Sequence, residues 1–338
     1  MKFYVGLDVS VATTSICVID EKGNVVREGQ VETEPKKISK FLSKEKRRCA
    51  SVGLEAGTIS QWLFRELKQR KFPVVCIETR HAHSLLKARL NKTDRNDAHG
   101  IAHIMRFGHF KAVHVKPVDG QLIKVLLTGR RFLQQKLIAT EQCIRAFLHN
   151  FGLKLGRVTR QNYQAHVQKL AAKNPALRDI IQPLLTARQT LEEQFTLLHQ
   201  QVLAAAHSDE VCQLLMTVPG VGPLVALVFR SAIGDPSRFK RSRSVGAHLG
   251  FTPRTYQSGG TDNRGRISQF GDAYLRQMMR SAAAVILRPK VRSSPLKDWG
   301  SRVAERRGMK NARTAVARRM AVILHRIWID RTPYRWEA

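Results

Sequence analysis

The chain has 338 residues, with 58 Lys and Arg against 26 Asp and Glu, and a formal net charge of +32 at pH 7. This excess of cations predicts a polyanionic partner, first of all nucleic acid, because Lys and Arg neutralise phosphates and release their counterions. The hydrophobic fraction of 43% predicts folded cores, and the length suits two domains with a connector. No apolar run of about 18 residues occurs and the N-terminus does not resemble a signal peptide, so a membrane is not an expected partner.

The cysteines predict a reducing compartment. They are odd in number, far apart and never in a C-x-x-C pair, which argues against a disulfide framework and against a cysteine zinc site. The five positions are Cys17, Cys49, Cys76, Cys143 and Cys212.

Residues 1–115 predict a mixed sheet with helices on its faces, in the order three strands, helix, strand, helix, strand, helix. The turn EKGN predicts a hairpin between the second and third strands. The expected strands cover 3–9, 15–20, 25–31, 50–56 and 72–80, and the expected helices cover 38–46 and 59–71, with a last helix that carries Asp94 and Asp97.

Residues 116–207 predict helices only, and 121–151 form one long helical pattern. A later seam of apolar residues follows a seven-residue repeat and predicts a helical hairpin or a short coiled coil. The repeat does not distinguish packing within the chain from dimerisation. Its members are Leu184, Leu191, Phe195, Leu198 and Val202.

Residues 208–338 predict a mainly helical domain that contains a polar, glycine-rich loop over 251–271. The turn VPGVG, around Gly220 and Gly222, resembles a helix-hairpin-helix turn, whose amides can bind a phosphate at a helix N-terminus. A packing corner between two helices is the alternative. The chain is thus expected to comprise three domains, 1–115, 116–207 and 208–338.

Four carboxylates stand out in so basic a chain. Asp8 lies inside the first expected strand and Glu55 ends the fourth, so the two converge if these strands are neighbours. Asp94 and Asp97 lie about 5–6 Å apart at Cβ on one helical face. Clustered carboxylates repel each other, and Mg²⁺ or Mn²⁺ relieves that repulsion.

A purely structural role for the helical pair is the alternative. Asp favours the first turn of a helix, where its charge meets the positive end of the helix dipole. Thr93 or Asp94 would then be the N-cap, and Asp97 would lie in the first turn.

The segments GLDVS, GLEAG and NKTDRNDA resemble the D, E and D-x-x-D elements of a RuvC-like, ribonuclease-H-type domain. With KTDRNDA, the set resembles the IS110 type of insertion-sequence transposase, a group that includes the related pilin-gene invertase. The segment from VPGVG to DAYLR resembles the C-terminal transposase domain of that family. Val11 and Ala12 stand where the family often has Lys, and EAGT replaces the commoner EATG, but neither departure touches a carboxylate.

This resemblance implies a RuvC-like domain of mixed sheet and flanking helices, a helical or coiled-coil connector, and a mainly helical transposase domain. It also implies a metal site that binds Mg²⁺ or Mn²⁺ through the four carboxylates Asp8, Glu55, Asp94 and Asp97.

The loop serine Ser258 gains its significance from the same resemblance. In the family, the serine of a Y-x-S-G motif cleaves DNA as a nucleophile and becomes linked to it, and Ser258 stands at that place. On the residues alone, two glycines keep the hydroxyl open, and Arg254, Arg264 and Arg266 flank it and could stabilise charge on a phosphate. By resemblance, the carboxylates and the serine form one composite site between different subunits.

The resemblance further implies donor and target DNA, a structured guide RNA from the same element, a homo-oligomer (dimer or tetramer), and a place in the bacterial cytoplasm near the nucleoid. Two other functions fit the residues. One is a RuvC-like nuclease or junction resolvase that uses metal-activated water. The other is a non-catalytic nucleic-acid-binding protein, against which the clustered acids argue.

Overall fold

The computed structural model describes residues 1–79 and 93–336, except for the side chains of Arg47 and Arg264. The chain forms two compact units, Met1–Pro117 and Val118–Ala338. The first combines a sheet with helices and the second is mainly helical, so the predicted fold class is confirmed. The division into three domains stays a prediction.

The first unit contains five strands and three helices within the described residues. Their order matches the order that the sequence predicts, including the hairpin between the second and third strands. The strands are β1 (Phe3–Val9), β2 (Thr13–Ile19), β3 (Val25–Glu32), β4 (Cys49–Glu55) and β5 (Val74–Ile77); the helices are α1 (Pro35–Phe41), α2 (Ser60–Gln69) and α3 (Asp94–Phe107).

The five strands form one sheet in the order β3-β2-β1-β4-β5. β1 pairs antiparallel with β2, and β2 pairs antiparallel with β3. β1 pairs parallel with β4, and β4 pairs parallel with β5, because helical crossovers return the chain to the same end of the sheet. β1 is therefore the central strand, with β4 at its side.

The two faces of β1 pack against different helices, since successive side chains of a strand point to opposite faces. Val5 and Leu7 are fully buried and share a core with Ile38 of α1 and with Leu63 and Leu67 of α2. Tyr4 packs instead in clusters that include residues of α3. The alternate residues Tyr4, Gly6 and Asp8 thus lie on the α3 face.

Glycines let α3 approach this face at backbone distance. A Cβ added to Gly6 would lie 2.0 Å from the carbonyl oxygen of Ala98 and 2.4 Å from the amide nitrogen of Ala102. One added to Gly53 of β4 would lie 2.5 Å from the Cγ and Sδ atoms of Met105. The helix can cross β1 and β4 here because neither Gly6 nor Gly53 has a side chain.

The second unit contains nine helices and one two-stranded hairpin within the described residues. The helices are α4 (Val118–Asn150), α5 (Tyr163–Ala171), α6 (Pro175–Ser208), α7 (Glu210–Met216), α8 (Pro223–Ile233), α9 (Arg243–His248), α10 (Ala273–Ile286), α11 (Pro295–Arg307) and α12 (Met309–Asp330); the strands are β6 (Pro253–Ser258) and β7 (Thr261–Ile267).

The two long helices α4 and α6 pack antiparallel. Leu127, early in α4, shares a core with Val202, late in α6, whereas Ile144 packs in a second core with Ile181. The predicted apolar seam of α6 packs against α4. Val202 is fully buried, and a Cβ placed on Gly129 of α4 would lie 3.4 Å from Leu198. The seam therefore serves packing within the chain.

A larger core joins α8, α10 and α12. Phe229, Met279 and Met320 are fully buried in it, one from each helix. Each of the three helices repeats apolar residues at helical spacing, which gives it a face that water cannot reach. This core supports the segment 251–271 that connects α9 to α10.

The prediction of a polar loop over 251–271 is wrong in one respect, because most of the segment is a β-hairpin. β6 and β7 pair antiparallel, and Ser258 pairs with Thr261 across a two-residue turn of Gly259 and Gly260. Gly259 has a φ of +56°, which a glycine adopts without strain. No helix among the described residues is both long and apolar enough to cross a membrane.

Substitution Gly6→Ala should destabilise the first unit by about 3 kcal/mol, because the added methyl group would overlap the α3 backbone, which cannot yield as a side chain could. Hydrogen exchange of the β1 and β4 amides in the full chain measures this as a lower opening free energy.

The matched control is Gly57→Ala, where no atom lies within 4 Å of the added Cβ, and it should change stability by less than about 0.5 kcal/mol. Equal exchange in the two variants would contradict the role assigned to the Gly6 contact.

Candidate functional site

The strand register places Asp8 and Glu55 side by side. Leu7 pairs with Leu54 across the parallel strands β1 and β4, so Asp8 and Glu55 occupy the next position on each strand. Both lie two residues beyond a glycine that contacts α3, and therefore on the same face as that helix. Both side chains are half-buried. The sequence left the adjacency of these strands open, and the sheet supplies it.

Helix α3 begins at the same end of the sheet. His103 and Arg106, late in the helix, lie beside Gly23, in the turn that follows Ile19, the partner of Tyr4. Gly6 contacts Ala98 and Ala102, closer to the start of the helix. Contacts thus move toward the helix N-terminus as β1 runs toward Asp8. The first turn of α3 is directed to the end of β1 and β4 where the two strand carboxylates lie.

The cap of α3 is Thr93, whose hydroxyl accepts a hydrogen bond from the Asn96 amide at 3.2 Å. Asp94 is the first helical residue and is exposed, and Asp97 is half-buried one turn later. Because Thr93 performs the capping, neither aspartate is needed for that purpose. The first two residues of the motif, Asn91 and Lys92, lie outside the described residues.

Carboxylate oxygens are the ligands that Mg²⁺ and Mn²⁺ prefer, so this donor set suits either ion. Across 1–79 and 93–336, however, no three His, Cys, Asp or Glu side chains lie close enough together to hold a metal ion. The strand register and the start of α3 thus bring the four carboxylates to the same end of the sheet. Their side chains are not close enough together to act as ligands of one metal ion.

An ion pair beside the carboxylates was not expected from the sequence. The Arg95 guanidinium donates to both carboxylate oxygens of Glu28, from Nε to Oε2 at 2.9 Å and from Nη2 to Oε1. Hydrogen bonding and charge attraction from Arg95 lower the pKa of the Glu28 carboxyl, and the same contact raises the pKa of Arg95. The pair ties the first turn of α3 to β3. The sequence feature that could have indicated this ion pair is Arg95, which stands between Asp94 and Asp97.

An open pocket of about 680 Å³ lies beside this pair. Ser15 of β2 lies level with Asp8 and with Gln30, since it pairs with both. The pocket therefore continues the row of residues that begins at Asp8. It is lined by Ser15, Ile16, Glu28, Gly29, Gln30, Thr93, Asp94 and Arg95.

Ser258 is the last residue of β6 and lies at the tip of the hairpin, in the second unit. All six residues of β6 are exposed, and no atom lies within 4 Å of a Cβ placed on Gly259 or Gly260. Within the described part of the chain, the turn has open space beside both glycines. The hydroxyl is accordingly accessible to a large substrate.

The Arg254 side chain does not lie at that hydroxyl. Arg254 donates to the carbonyl oxygen of Ser268 at 3.4 Å and its guanidinium lies 5.6 Å from the Phe270 ring centroid, both at the base of the hairpin. Arg266 is exposed near the same base. The Arg264 side chain lies outside the described residues. Arg254 would have to turn toward the tip to reach a phosphate bound at Ser258.

The turn around Gly220 and Gly222 connects α7 to α8, as the sequence predicts. Gly220 has a φ of +80°, and a Cβ on it would lie 2.6 Å from the carbonyl oxygen of Ala282 in α10, so it serves as a packing corner. Gly222 is the N-cap of α8, with no side-chain cap and open space around it. The packing-corner interpretation thus holds for Gly220, and phosphate binding at Gly222 stays a prediction.

Two family profiles match the chain. A DEDD-type transposase profile of the IS110 group matches residues 5–152, and a profile described as "Transposase IS116/IS110/IS902 family" matches residues 212–296. The first contains all four carboxylates and the second contains Ser258. Together they cover about two thirds of the chain.

Relatives match over most of their length. The transposase for insertion sequence element IS1111A of Coxiella burnetii is 29% identical over 98% of this chain and 90% of its own. The transposase for insertion sequence element IS1328 of Yersinia enterocolitica is 26% identical over 80% of this chain and 81% of its own. With both profiles in the same order, the chain belongs to the IS110 family of insertion-sequence transposases, enzymes that cut and rejoin DNA.

Proposed function

We propose that this transposase cuts and rejoins DNA through the Ser258 hydroxyl, assisted by Mg²⁺ or Mn²⁺ bound by Asp8, Glu55, Asp94 and Asp97. The observation that carries the proposal is the place of Ser258 at the end of an exposed hairpin whose turn has open space beside both glycines. A nucleophile that must reach a phosphate inside a DNA strand needs such access.

The carboxylates support the metal part of the proposal. Asp8 and Glu55 occupy neighbouring positions on β1 and β4, and α3 begins toward them with Asp94 and Asp97 in its first turns. Divalent ions held there would polarise phosphate oxygens and favour loss of the proton from an attacking hydroxyl. The protein supplies the oxygen donors and a rigid base for them, since β1 is the central strand of the sheet.

The chemical step is a phosphoryl transfer. The Ser258 oxygen forms a bond to phosphorus and its proton leaves to solvent or to a carboxylate. The bond from phosphorus to one deoxyribose oxygen breaks, and that oxygen takes up a proton from solvent. The resulting phosphoserine diester retains the energy of the broken bond. A free deoxyribose hydroxyl of another DNA end then displaces the serine, which restores the side chain and joins the new strand.

Cations and backbone amides would hold the DNA. Arg254, Arg264 and Arg266 belong to the hairpin and could turn toward a phosphate at its tip. The open N-terminus of α8 at Gly222 presents amides without a side-chain cap, which suits another phosphate. The net charge of +32 attracts the phosphate backbone of DNA whatever its base sequence.

The further partners belong to the same proposal. A charge of +32 suits a structured RNA bound together with DNA, and such an RNA from the element itself would select donor and target. Because strand exchange needs a nucleophile for each strand that is cut, the active form would be a homo-oligomer, a dimer or tetramer. Water in place of serine would make the chain a RuvC-like nuclease, and the adduct experiment below decides between them.

Substitution Asp8→Asn or Asp94→Asn should lower strand exchange at least about 100-fold, since an amide keeps the shape of the carboxylate and loses its charge for the metal. Nucleic-acid affinity should not fall, because carboxylates do not attract phosphate. Recombination assays with and without Mg²⁺, beside filter-binding measurements, test both statements.

The matched control is Asp179→Asn, an exposed acid of α6 that pairs only with its neighbour Arg178 among the described residues, and it should recombine as the wild type does. Wild-type recombination that persists in excess EDTA would refute the metal proposal.

Substitution Ser258→Ala should abolish a covalent protein–DNA adduct that survives denaturation and that the wild type forms with suicide substrates. The fold should be unaffected, because removing one exposed hydroxyl changes stability by no more than about 0.5 kcal/mol. Gel electrophoresis of labelled DNA after denaturation detects the adduct.

Thr255→Ala removes a hydroxyl from the same strand and should leave the adduct intact. Cleavage by Ser258→Ala at the wild-type rate would instead favour the nuclease that uses water.

The purified protein should carry a defined RNA from its own element, and its release should depend steeply on salt. With six or more phosphate contacts, affinity should fall about 1,000-fold between 50 and 200 mM salt. Sequencing of the co-purified RNA and a salt titration test this expectation. Random host RNA, together with recombination that survives ribonuclease treatment, would rule the guide RNA out.

A further inference from the structure

Tyr256 presents an aromatic ring that has no packing role in the described part of the chain. Its side chain is 66% exposed, and every residue of β6 is exposed. Tyrosine carries a large apolar surface, which a fold normally buries at least in part. The hairpin gains no core from this ring, so its stability does not explain a tyrosine at this position.

The ring lies on the same face of the hairpin as the Ser258 hydroxyl. Side chains alternate along a strand, so residues two apart share a face. Tyr256 pairs with Asn263 and Ser258 pairs with Thr261, which places these four residues on that face. Two residues along a strand span about 7 Å, close to two base steps of a DNA strand at about 3.4 Å each.

Next to the tip, the other face of the hairpin carries an acid. Gln257 pairs with Asp262, and both lie opposite to the Tyr256 face by the same alternation. Asp262 is exposed, so its carboxylate would repel a phosphate held against it. Because Ser258 itself lies on the Tyr256 face, a DNA strand that brings its phosphate to the Ser258 hydroxyl approaches along that face.

We propose that the Tyr256 ring stacks on a nucleobase beside the phosphate that Ser258 attacks. The inference rests on the proposed serine nucleophile and adds the group that holds its substrate. Stacking on an aromatic ring accepts any base, since each has a π-face. Tyr256 thus fixes the position of the strand at the tip of the hairpin without selecting its sequence.

A cycle that combines a protein change with a DNA change tests this contact. DNA carrying the ends of the insertion sequence, with RNA transcribed from its non-coding flank, is prepared with one abasic nucleotide at each position around the cleavage site. Adduct formation and binding affinity are measured for each. At one position, loss of the base should lower the wild type's binding affinity and adduct formation about 10- to 100-fold. Tyr256→Ala should cause the same loss on intact DNA.

The two losses should not multiply at that position, because either change removes the same contact. Tyr256→Phe keeps the ring and should resemble the wild type. Gln257→Ala alters the opposite face and should leave the abasic penalty unchanged. Losses that multiply at every position, or Tyr256→Ala with wild-type rates and affinity, would overturn the proposal.

Binding measured in the Ser258→Ala background separates this inference from the serine chemistry. Coupling between Tyr256 and one base in that background, with no adduct from the wild type, would support stacking and reject the nucleophile. An adduct from the wild type without coupling at any position would support the nucleophile and reject stacking. Unchanged far-UV circular dichroism of Tyr256→Ala would show that the fold is intact.

Discussion

Helix α3 lies in backbone contact with the central strands because Gly6 and Gly53 have no side chain where it crosses them. This contact determines more than local packing. It sets the height of the helix above the sheet and the direction in which its first turn points. Asp94 and Asp97 belong to that turn, and Asp8 and Glu55 lie two residues beyond the two glycines. The position of the helical carboxylates relative to the strand carboxylates therefore depends on glycine at positions 6 and 53.

The two candidate sites of the chain lie in opposite physical environments. The carboxylates belong to elements that share buried cores, and their strands are paired on both sides. Ser258 belongs to a two-stranded hairpin whose β6 residues are all exposed. A metal site needs fixed ligands, whereas a nucleophile that attacks a strand of DNA needs reach. In the proposed function, the paired strands would fix the metal ligands and the exposed hairpin would give the serine its reach.

The sequence predicted the elements of the first unit well because burial gives them a regular pattern. The alternation around Val5 and Leu7 and the helical spacing of Leu63 and Leu67 follow directly from which face meets the core. The order of the strands in the sheet could not be predicted, because no local sequence pattern indicates that β1 lies beside β4. Likewise the Glu28–Arg95 pair joins residues 67 positions apart, which only the fold brings together.

The hairpin was missed for a different reason. Neither of its strands buries a face, so the hydrophobic alternation that identifies most strands is absent. The Gly-Gly pair between TYQS and TDN was the available signal, since a two-residue glycine turn is typical of a hairpin. The direction of Arg254 toward Phe270 could not be read from spacing, because a long side chain can reach either end of its strand.

The hairpin also has a mechanical consequence. Five steps of about 3.4 Å carry Ser258 about 17 Å from Pro253 at the start of β6, on a ribbon that joins the core at its base. A two-stranded ribbon is marginally stable by itself, so thermal motion at its tip is larger than at its base. The hydroxyl becomes fixed in space only when a ligand restrains the tip, and the ordering entropy is lost at that moment. If Ser258 is the nucleophile, as proposed, it would be poorly positioned without a bound strand, and this would limit stray cleavage of DNA.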